Sequence, residues 1–368
     1  MRFNRRQLWL AVISLVLLLA FLDLEWLDSY RYPIASPDFY VYYLAAQIGL
    51  AHGWAAVYDP SIYLPAITSV VGRPLPYLNP PELAWLILPL TWLPYSIAAW
   101  AWRGILTAGF GLTCLLAAPG SGRSRILHAT AGALLLPVFI SLVFGQVSLL
   151  ITGILAVTWW LIRDDRPWLA GIALAVIFVK PQAAFVVPLA LLAAGYWRVF
   201  IAWFSATALL AGVALLVVGT AVFNNMAESM AVAHGVPGPV QISLEHQLPL
   251  PLAVVAIGLV LLTSGFVLIR VHGQGPTIPM AVAILVSALV SPYINFYDVS
   301  SVLLAGWFIL AVDRPRWQTW LTIAMYIPLF LTPVWPLLTV ICLSGWLLSL
   351  ASMCVRPRAT ISKIDLAA

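Results

Sequence analysis

Charge is what this chain has least of. Only 8% of its 368 residues are Asp, Glu, Lys or Arg and 63% are hydrophobic, whereas roughly 25% of a soluble domain is charged. A water-soluble fold is thereby excluded. Cysteine is also scarce: Cys114, Cys342 and Cys354 are the three present, and no two have the spacing of a metal or redox pair. A disulfide framework is therefore not supported. The chain contains no phosphate loop with Gly-Lys-Ser/Thr, no zinc-protease helix, no nucleophile elbow and no Cys/His metal cluster. Repeat arrays, low-complexity tracts and a separate soluble domain are missing too, so 1–368 reads as a single transmembrane domain.

What is present is a series of long apolar runs whose polar breaks alternate in sign. Fourteen of the eighteen Lys and Arg residues fall at the N-terminus (Arg2, Arg5, Arg6) or in the breaks 119–128, 163–168, 196–198, 270–276, 313–318 and 355–363. Nine of the thirteen acids fall in the other set, 23–82, 143–146, 222–249, 291–299 and 333–336, which holds only Arg31 and Arg73 as cations. Cationic loops resist translocation. The pattern predicts a plasma-membrane protein with both termini cytoplasmic and its acidic chemistry on the outer face. The net charge of +5 is spread singly over the inner turns, which suits anionic lipid headgroups and not nucleic acid. Residues 1–22 begin like a signal sequence, but the exit Phe21-Leu22-Asp23-Leu24-Glu25 lacks a small-x-small cleavage site, so a retained anchor is expected.

A span needs about 20 apolar residues, with about 17 tolerated. The runs 8–24, 95–118, 127–143, 147–162, 199–221, 250–269, 277–290, 300–312, 319–333 and 336–354 are candidates. The run 169–195 has basic turns at both ends and Lys180-Pro181 in its middle. Two short helices meeting at a recessed outer break satisfy that charge pattern. The expectation is an all-α polytopic bundle of about twelve crossings, with 83–93 too short to cross alone. Residues 23–82 form the large first outer loop, in which 38–51 reads as an interfacial amphipathic helix carrying Phe39, Tyr42, Tyr43 and Ala46.

The candidates for chemistry lie in these outer breaks. Asp38 is either a helix cap beside Ser36 and Pro37 or a general base, a carboxylate near aromatic surface that takes a proton from a hydroxyl. Lys180 is either a lysine snorkelling to the interface or a phosphate contact. Arg103 is a packing or lipid anchor, or a second such contact. Asn79, Glu82, Gln146, His246, Tyr293 and Asp298 stand in the outer segments 77–82, 145–146, 243–247 and 291–298. Taken singly they make turns and caps; with Tyr42 and Tyr43 they form one candidate substrate-contact set on the face of Asp38 and Lys180. Asp23 and Glu25 are a close acidic pair suited to a divalent cation or to the end of the first span. His128 and His272 fall inside and read as structural.

These pieces resemble, in order, the polyprenol-phosphate-sugar-dependent glycosyltransferases of the GT-C superfamily, and specifically glycosyltransferase family 87, which includes a mycobacterial α-1,2-mannosyltransferase of phosphatidylinositol mannoside synthesis. The resemblance is carried by Asp38-Phe39-Tyr40-Val41-Tyr42-Tyr43, Val57-Tyr58-Asp59-Pro60, Tyr77-Leu78-Asn79-Pro80-Pro81, Phe144-Gly145-Gln146, Val179-Lys180-Pro181-Gln182, Ser291-Pro292-Tyr293 and Tyr297-Asp298. It implies transfer of a sugar, mannose first, from a polyprenyl-phosphate donor to a lipid or glycan hydroxyl on the outer leaflet, with inversion. It implies Asp38 as base, with Lys180, Arg103 and His246 as cations near the donor phosphate. Such a donor leaves with one phosphate, so neither metal nor cofactor is expected, and nothing calls for more than a monomer. The segment Ser243-Leu244-Glu245-His246-Gln247 departs from the Asn-Gln-Ser-like motif expected there. The rival reading is a transporter or lipid-linked-sugar flippase, which would show paired broken helices about a midplane site; the sequence offers one such break, at Lys180-Pro181.

Overall fold

The structure, a computed structural model, describes residues 34–220, 222, 225, 228, 229, 232 and 241–354. The expected first span, the pair Asp23 and Glu25, and the basic tail from Arg356 lie outside the described residues. The described chain is helical throughout, with one isolated antiparallel bridge, Gln241 to Asn295.

Proline and glycine punctuate the first part. Helix α1 (Pro37–His52) starts on a proline and stops at Gly53, whose φ of 87° only glycine adopts freely. Asp59 then caps α2 (Pro60–Val71), accepting from the Ser61 amide at 2.9 Å. The short α3 (Pro81–Ile87) runs into a 3-10 turn at Leu88–Trp92, and Pro94 opens α4 (Tyr95–Ala117). Next come α5 (Arg123–Ala133) and α6 (Leu136–Phe144), which meet at a bend of 61°. The sequence reads one continuous span at 127–143, but Pro137 suits only the first turn of a new helix. A second broken helix is therefore present beside the expected one.

Helix α7 (Ser148–Arg163) leads to α8 (Pro167–Leu174), which tightens into a 3-10 turn over Ala175–Val179. Lys180 ends that turn, Pro181 starts another, and α9 (Val186–Ala193) resumes the helix. The break expected within 169–195 is thus present at Lys180-Pro181. The chain continues through α10 (Trp197–Val218), α11 (Leu244–Gln247), α12 (Leu250–Arg270) and α13 (Thr277–Val290). A 3-10 turn at Phe296–Ser301 feeds α14 (Val302–Ala311), followed by α15 (Arg316–Ala324), α16 (Ile327–Leu331) and α17 (Pro336–Cys354).

Helix α13 is the hub: every residue from Thr277 to Leu289 is buried, against α9, α12, α14 and α17. Small residues set the closest approaches. A Cβ on Gly153 of α7 would stand 2.7 Å from the Gly109 carbonyl of α4, and one on Gly171 of α8 would collide with the Val199 carbonyl of α10. Helix α10 buries only Val199, Ala202 and Val218, while Phe204, Leu209 and Leu216 face outward. An apolar outer face of that kind belongs against lipid.

Among the described residues three helices, α10, α12 and α17, are long and apolar enough to cross a membrane, and α5 with α6 makes a fourth if the bent pair is one span. Other apolar helices, including α7 and α13, have 10–17 residues, and α4 has 23. The chain is an all-helical membrane protein with at least three candidate spans. Helix α1 differs in character from the amphipathic surface helix expected at 38–51. Ten of its sixteen residues are buried, enclosed by α2, α3, α4 and Leu88–Trp92. Its aromatic residues pack on protein, an apolar partner that composition does not distinguish from lipid.

Candidate active site

The turn between α6 and α7 is the anchor of the site. Gly145 there has φ 76°, and a Cβ added to it would lie 2.7 Å from Phe39 Cβ. Its carbonyl accepts from Trp102 Nε1 at 2.8 Å, and the Gln146 amide donates to the Ser141 carbonyl at 2.7 Å. Ser141 Oγ in turn donates to the Tyr297 carbonyl at 2.7 Å, tying the turn to the Asp298 segment. Phe39 stacks on Trp102 and on Tyr95, at centroid distances of 5.7 and 5.8 Å. This packing holds Gln146 directly against the start of α1. Gly145→Ala should press α1 away from that turn and lower turnover on the order of 10²-fold with little loss of protein, since an ångström of misplacement suffices for that. Steady-state rates beside expression and melting measurements check it.

Gln146 joins an acid to a base through one amide. Its Nε2 donates to Asp38 Oδ2 at 2.7 Å, and its Oε1 accepts from Lys180 Nζ at 2.8 Å and from the Tyr42 hydroxyl at 2.8 Å. Lys180 also forms an ion pair with Asp298 Oδ1. That carboxylate is further held by Ser148 Oγ at 2.9 Å on Oδ1 and by the Asn295 amide at 3.2 Å on Oδ2. The ring of Tyr297 lies 5.7 Å from Nζ. An ammonium has three donors, and two are used among the described residues. One N–H is left without a hydrogen-bond acceptor among the described residues, on an ammonium that the Tyr297 ring flanks. Lys180 is 4% exposed and paired inside the protein, so it does not snorkel.

Asp38 is not a cap. The residue at the cap position is Ser36, which sits in the left-handed region with φ 57° and whose hydroxyl donates to the Val143 carbonyl at 3.0 Å. The carboxylate of Asp38 goes instead to Gln146. Its Oδ1 has no hydrogen-bond partner among the described residues. Burial is the main cause that raises the Asp38 carboxyl to about 6; the Gln146 hydrogen bond and Lys180 pull it down, and Asp298 pushes it up. A carboxylate of that affinity can hold and release a proton near neutrality.

Of the residues expected to act together, Asp38, Tyr42, Gln146, Lys180 and Asp298 form this one hydrogen-bonded cluster. The others make no hydrogen bond to these five, although Tyr293 borders them. Tyr43 donates to the Leu93 carbonyl at 2.9 Å, and Asn79 offers its backbone carbonyl to Tyr58 at 2.8 Å. Arg103 lies over Trp100 at 4.9 Å and donates to the Val143 carbonyl at 3.2 Å, bracing the same carbonyl as Ser36. His246 bonds Ser243 Oγ at 2.8 Å. Its segment is pinned to the Asp298 loop, because Ile242 donates to the Ile294 carbonyl at 3.1 Å. Tyr293 is on that loop, its carbonyl accepting from Ser291 Oγ at 3.2 Å, and its side chain bonds Asn295 within electrostatic reach of Asp298 and Asp38. Glu82 is buried elsewhere, in α3. Sequence reasoning missed Ser148 and the Tyr297 ring; the one legible signal for Ser148 was a small polar residue two places after Gln146, where α7 opens. Among the described residues no three His, Cys, Asp or Glu side chains converge on a common point.

A model of glycosyltransferase family 87 matches residues 77–292, more than half of the chain. The chain belongs to glycosyltransferase family 87. It is therefore a glycosyltransferase, and its apolar helices fit a membrane enzyme that joins a sugar donor to an acceptor. The matched stretch contains Gln146, Ser148 and Lys180 of this transferase, while Asp38 and Asp298 flank it. No curated protein and no solved structure matches the chain.

Proposed function

We propose that this family 87 enzyme moves a sugar, mannose first among those to test, from a polyprenyl-phosphate donor to a lipid or glycan hydroxyl at the outer leaflet of the plasma membrane, with inversion and with Asp38 as general base. The observation that carries this reading is the chain Asp38–Gln146–Lys180, in which a carboxylate with one free oxygen and an ammonium with one free N–H, counted among the described residues, are held by a single amide. Asp38 Oδ1 takes the proton of the acceptor hydroxyl while that oxygen attacks the anomeric carbon. The bond from the anomeric carbon to the phosphate oxygen breaks, and the charge arriving on the phosphate meets Lys180. The site's net charge is unchanged, because negative charge leaves Asp38 as it appears on the phosphate. Arg103 and His246 are the further cations of this end, and Tyr42, Tyr43, Asn79, Glu82, Tyr293 and Asp298 the further substrate contacts to test. The donor leaves with its own phosphate, so the step calls for no metal. A β-linked donor would give an α-glycoside.

Two features support this reading over a flippase. The ionisable residues of the cluster converge at one end of α1 and α7, and the family is one of transferases. The bent pair α5 and α6 does add a second broken helix, but its bend carries no ionisable residue. About twelve crossings, with the termini inside, remain the topology we propose for the full chain. The test is to supply purified enzyme in nanodiscs with β-linked polyprenyl-phosphate sugars and acceptor lipid, and to read the product by NMR. An α-glycoside is expected; a β-glycoside would rule out single displacement.

The pH profile gives a second check. Asp38 must be ionised to accept a proton, and its affinity is raised to about 6. Activity should therefore fall as pH drops through about 6 and level off above it. Lys180 pulls that value down, so in Lys180→Met the acid limb should move to higher pH.

A further inference from the structure

A second polar feature lies outside the catalytic cluster. Glu82 of α3 is 6% exposed, and neither carboxylate oxygen accepts a hydrogen bond from another of the described residues; its own backbone amide is the one donor in reach. The nearby hydroxyls are committed elsewhere: Tyr58 donates to the Asn79 carbonyl and Tyr77 to the Pro80 carbonyl, each at 2.8 Å. Burial accordingly pushes the Glu82 carboxyl above its usual range. Such a group is unfavourable unless something supplies a donor.

Glu82 lines a cavity of about 220 Å³ whose wall is otherwise almost wholly apolar, from Tyr58, Pro80, Phe178, Leu215 and Val218. Leu215 is 46% exposed on the outward face of α10, so the cavity borders the lipid side. Phe178 stands two residues before Lys180, and α3 packs on α1, the helix of Asp38. The cavity therefore borders two elements that lead to the catalytic cluster, the turn before Lys180 and the helix packed on α1. Its charge decides between the two substrates. A buried carboxylate repels a phosphate, whereas it accepts a hydrogen bond from a neutral hydroxyl.

We propose that this cavity is the acceptor subsite, taking a neutral polyhydroxylated amphiphile, a non-reacting hydroxyl of which donates to Glu82 while its apolar part lies along α10. The inference rests on the transferase reading above, since it assigns the phosphate-bearing donor to the Lys180 side. A binding experiment tests it without turnover. Full-length enzyme in nanodiscs is irradiated with an alkyl mannoside carrying a diazirine in its chain, and in parallel with the matching alkyl phosphate; labelled residues are mapped by mass spectrometry. The mannoside should label Phe178 and Leu215 in the parent. Labelling should drop about tenfold, one hydrogen bond's worth of affinity, in Glu82→Leu, and drop as well when Ala214→Trp fills the cavity. Equal or stronger labelling by the alkyl phosphate would overturn the proposal, as would mannoside labelling that survives Ala214→Trp. If labelling holds as expected while no sugar phosphate is ever consumed, the donor reading fails and the subsite stands.

Discussion

Asp38→Asn should remove nearly all transfer while leaving the protein at least as stable as the parent. The asparagine can still accept from Gln146 Nε2, which reaches Asp38 Oδ2 at 2.7 Å in the parent, so the geometry of α1 against the α6–α7 turn is kept. What is lost is the ability to take a proton, an effect of about 10²–10⁴-fold for a general base. Stability runs the other way. The folded-state affinity of Asp38 is raised from 3.8 to about 6 by burial, so ionising it weakens the fold. That destabilisation grows as pH rises from about 4 to about 6 and is fully present at neutral pH. Asparagine removes it. Melting temperature unchanged or higher at pH 7, together with lost turnover and retained donor binding, is the expected result; a large fall in melting temperature would mean that the carboxylate is structural.

The second large effect concerns the ion pair of Lys180 with Asp298. Both side chains are buried, at 4% and 1% exposure. Removing one partner strands the other charge, which typically destabilises by roughly 3–5 kcal/mol, while removing both is often nearly neutral. Lys180→Met and Asp298→Asn should therefore each lower stability strongly, although the asparagine of the second variant would retain the contacts to Ser148 and the Asn295 amide. The double variant should regain most of the loss. Function should not follow stability: the double variant still lacks the ammonium and should bind a polyprenyl phosphate as poorly as Lys180→Met. Stable protein with restored donor affinity would show that the lysine serves the fold alone. Melting curves and donor titrations on the three variants separate the two roles.

Much of this architecture is legible in the sequence. Helices at 95–117, 148–163, 250–270, 277–290 and 336–354 follow directly from runs of apolar residues between polar turns, because chain that cannot face water must satisfy its backbone internally. Lys180-Pro181 signals its own break, since a proline cannot continue a helix and an ammonium needs a polar niche. The grouping of Asp38, Gln146, Lys180 and Asp298 is legible only as a shared side of the membrane. Their contact spans sequence separations of 108, 34 and 118 residues, and no local pattern encodes which distant turns meet. Helix α1 is misread as amphipathic for a related reason: aromatic surface looks the same whether lipid or protein covers it. The bend between α5 and α6 was available in Pro137 but was masked by the unbroken hydrophobicity of 127–143. Glu82 reads as one of the outer-face substrate contacts, but its burial away from the Asp38 cluster is visible only in the structure.

The most direct test is donor consumption, measured side by side for the parent and Asp38→Asn in lipid nanodiscs with a panel of polyprenyl-phosphate sugars and acceptor lipid. The account predicts that the parent consumes one donor of the panel and that the variant binds the same donor without consuming it. Equal consumption by the variant would contradict the assignment of Asp38. If the parent neither binds nor consumes any lipid-phosphate sugar, the donor class itself is wrong.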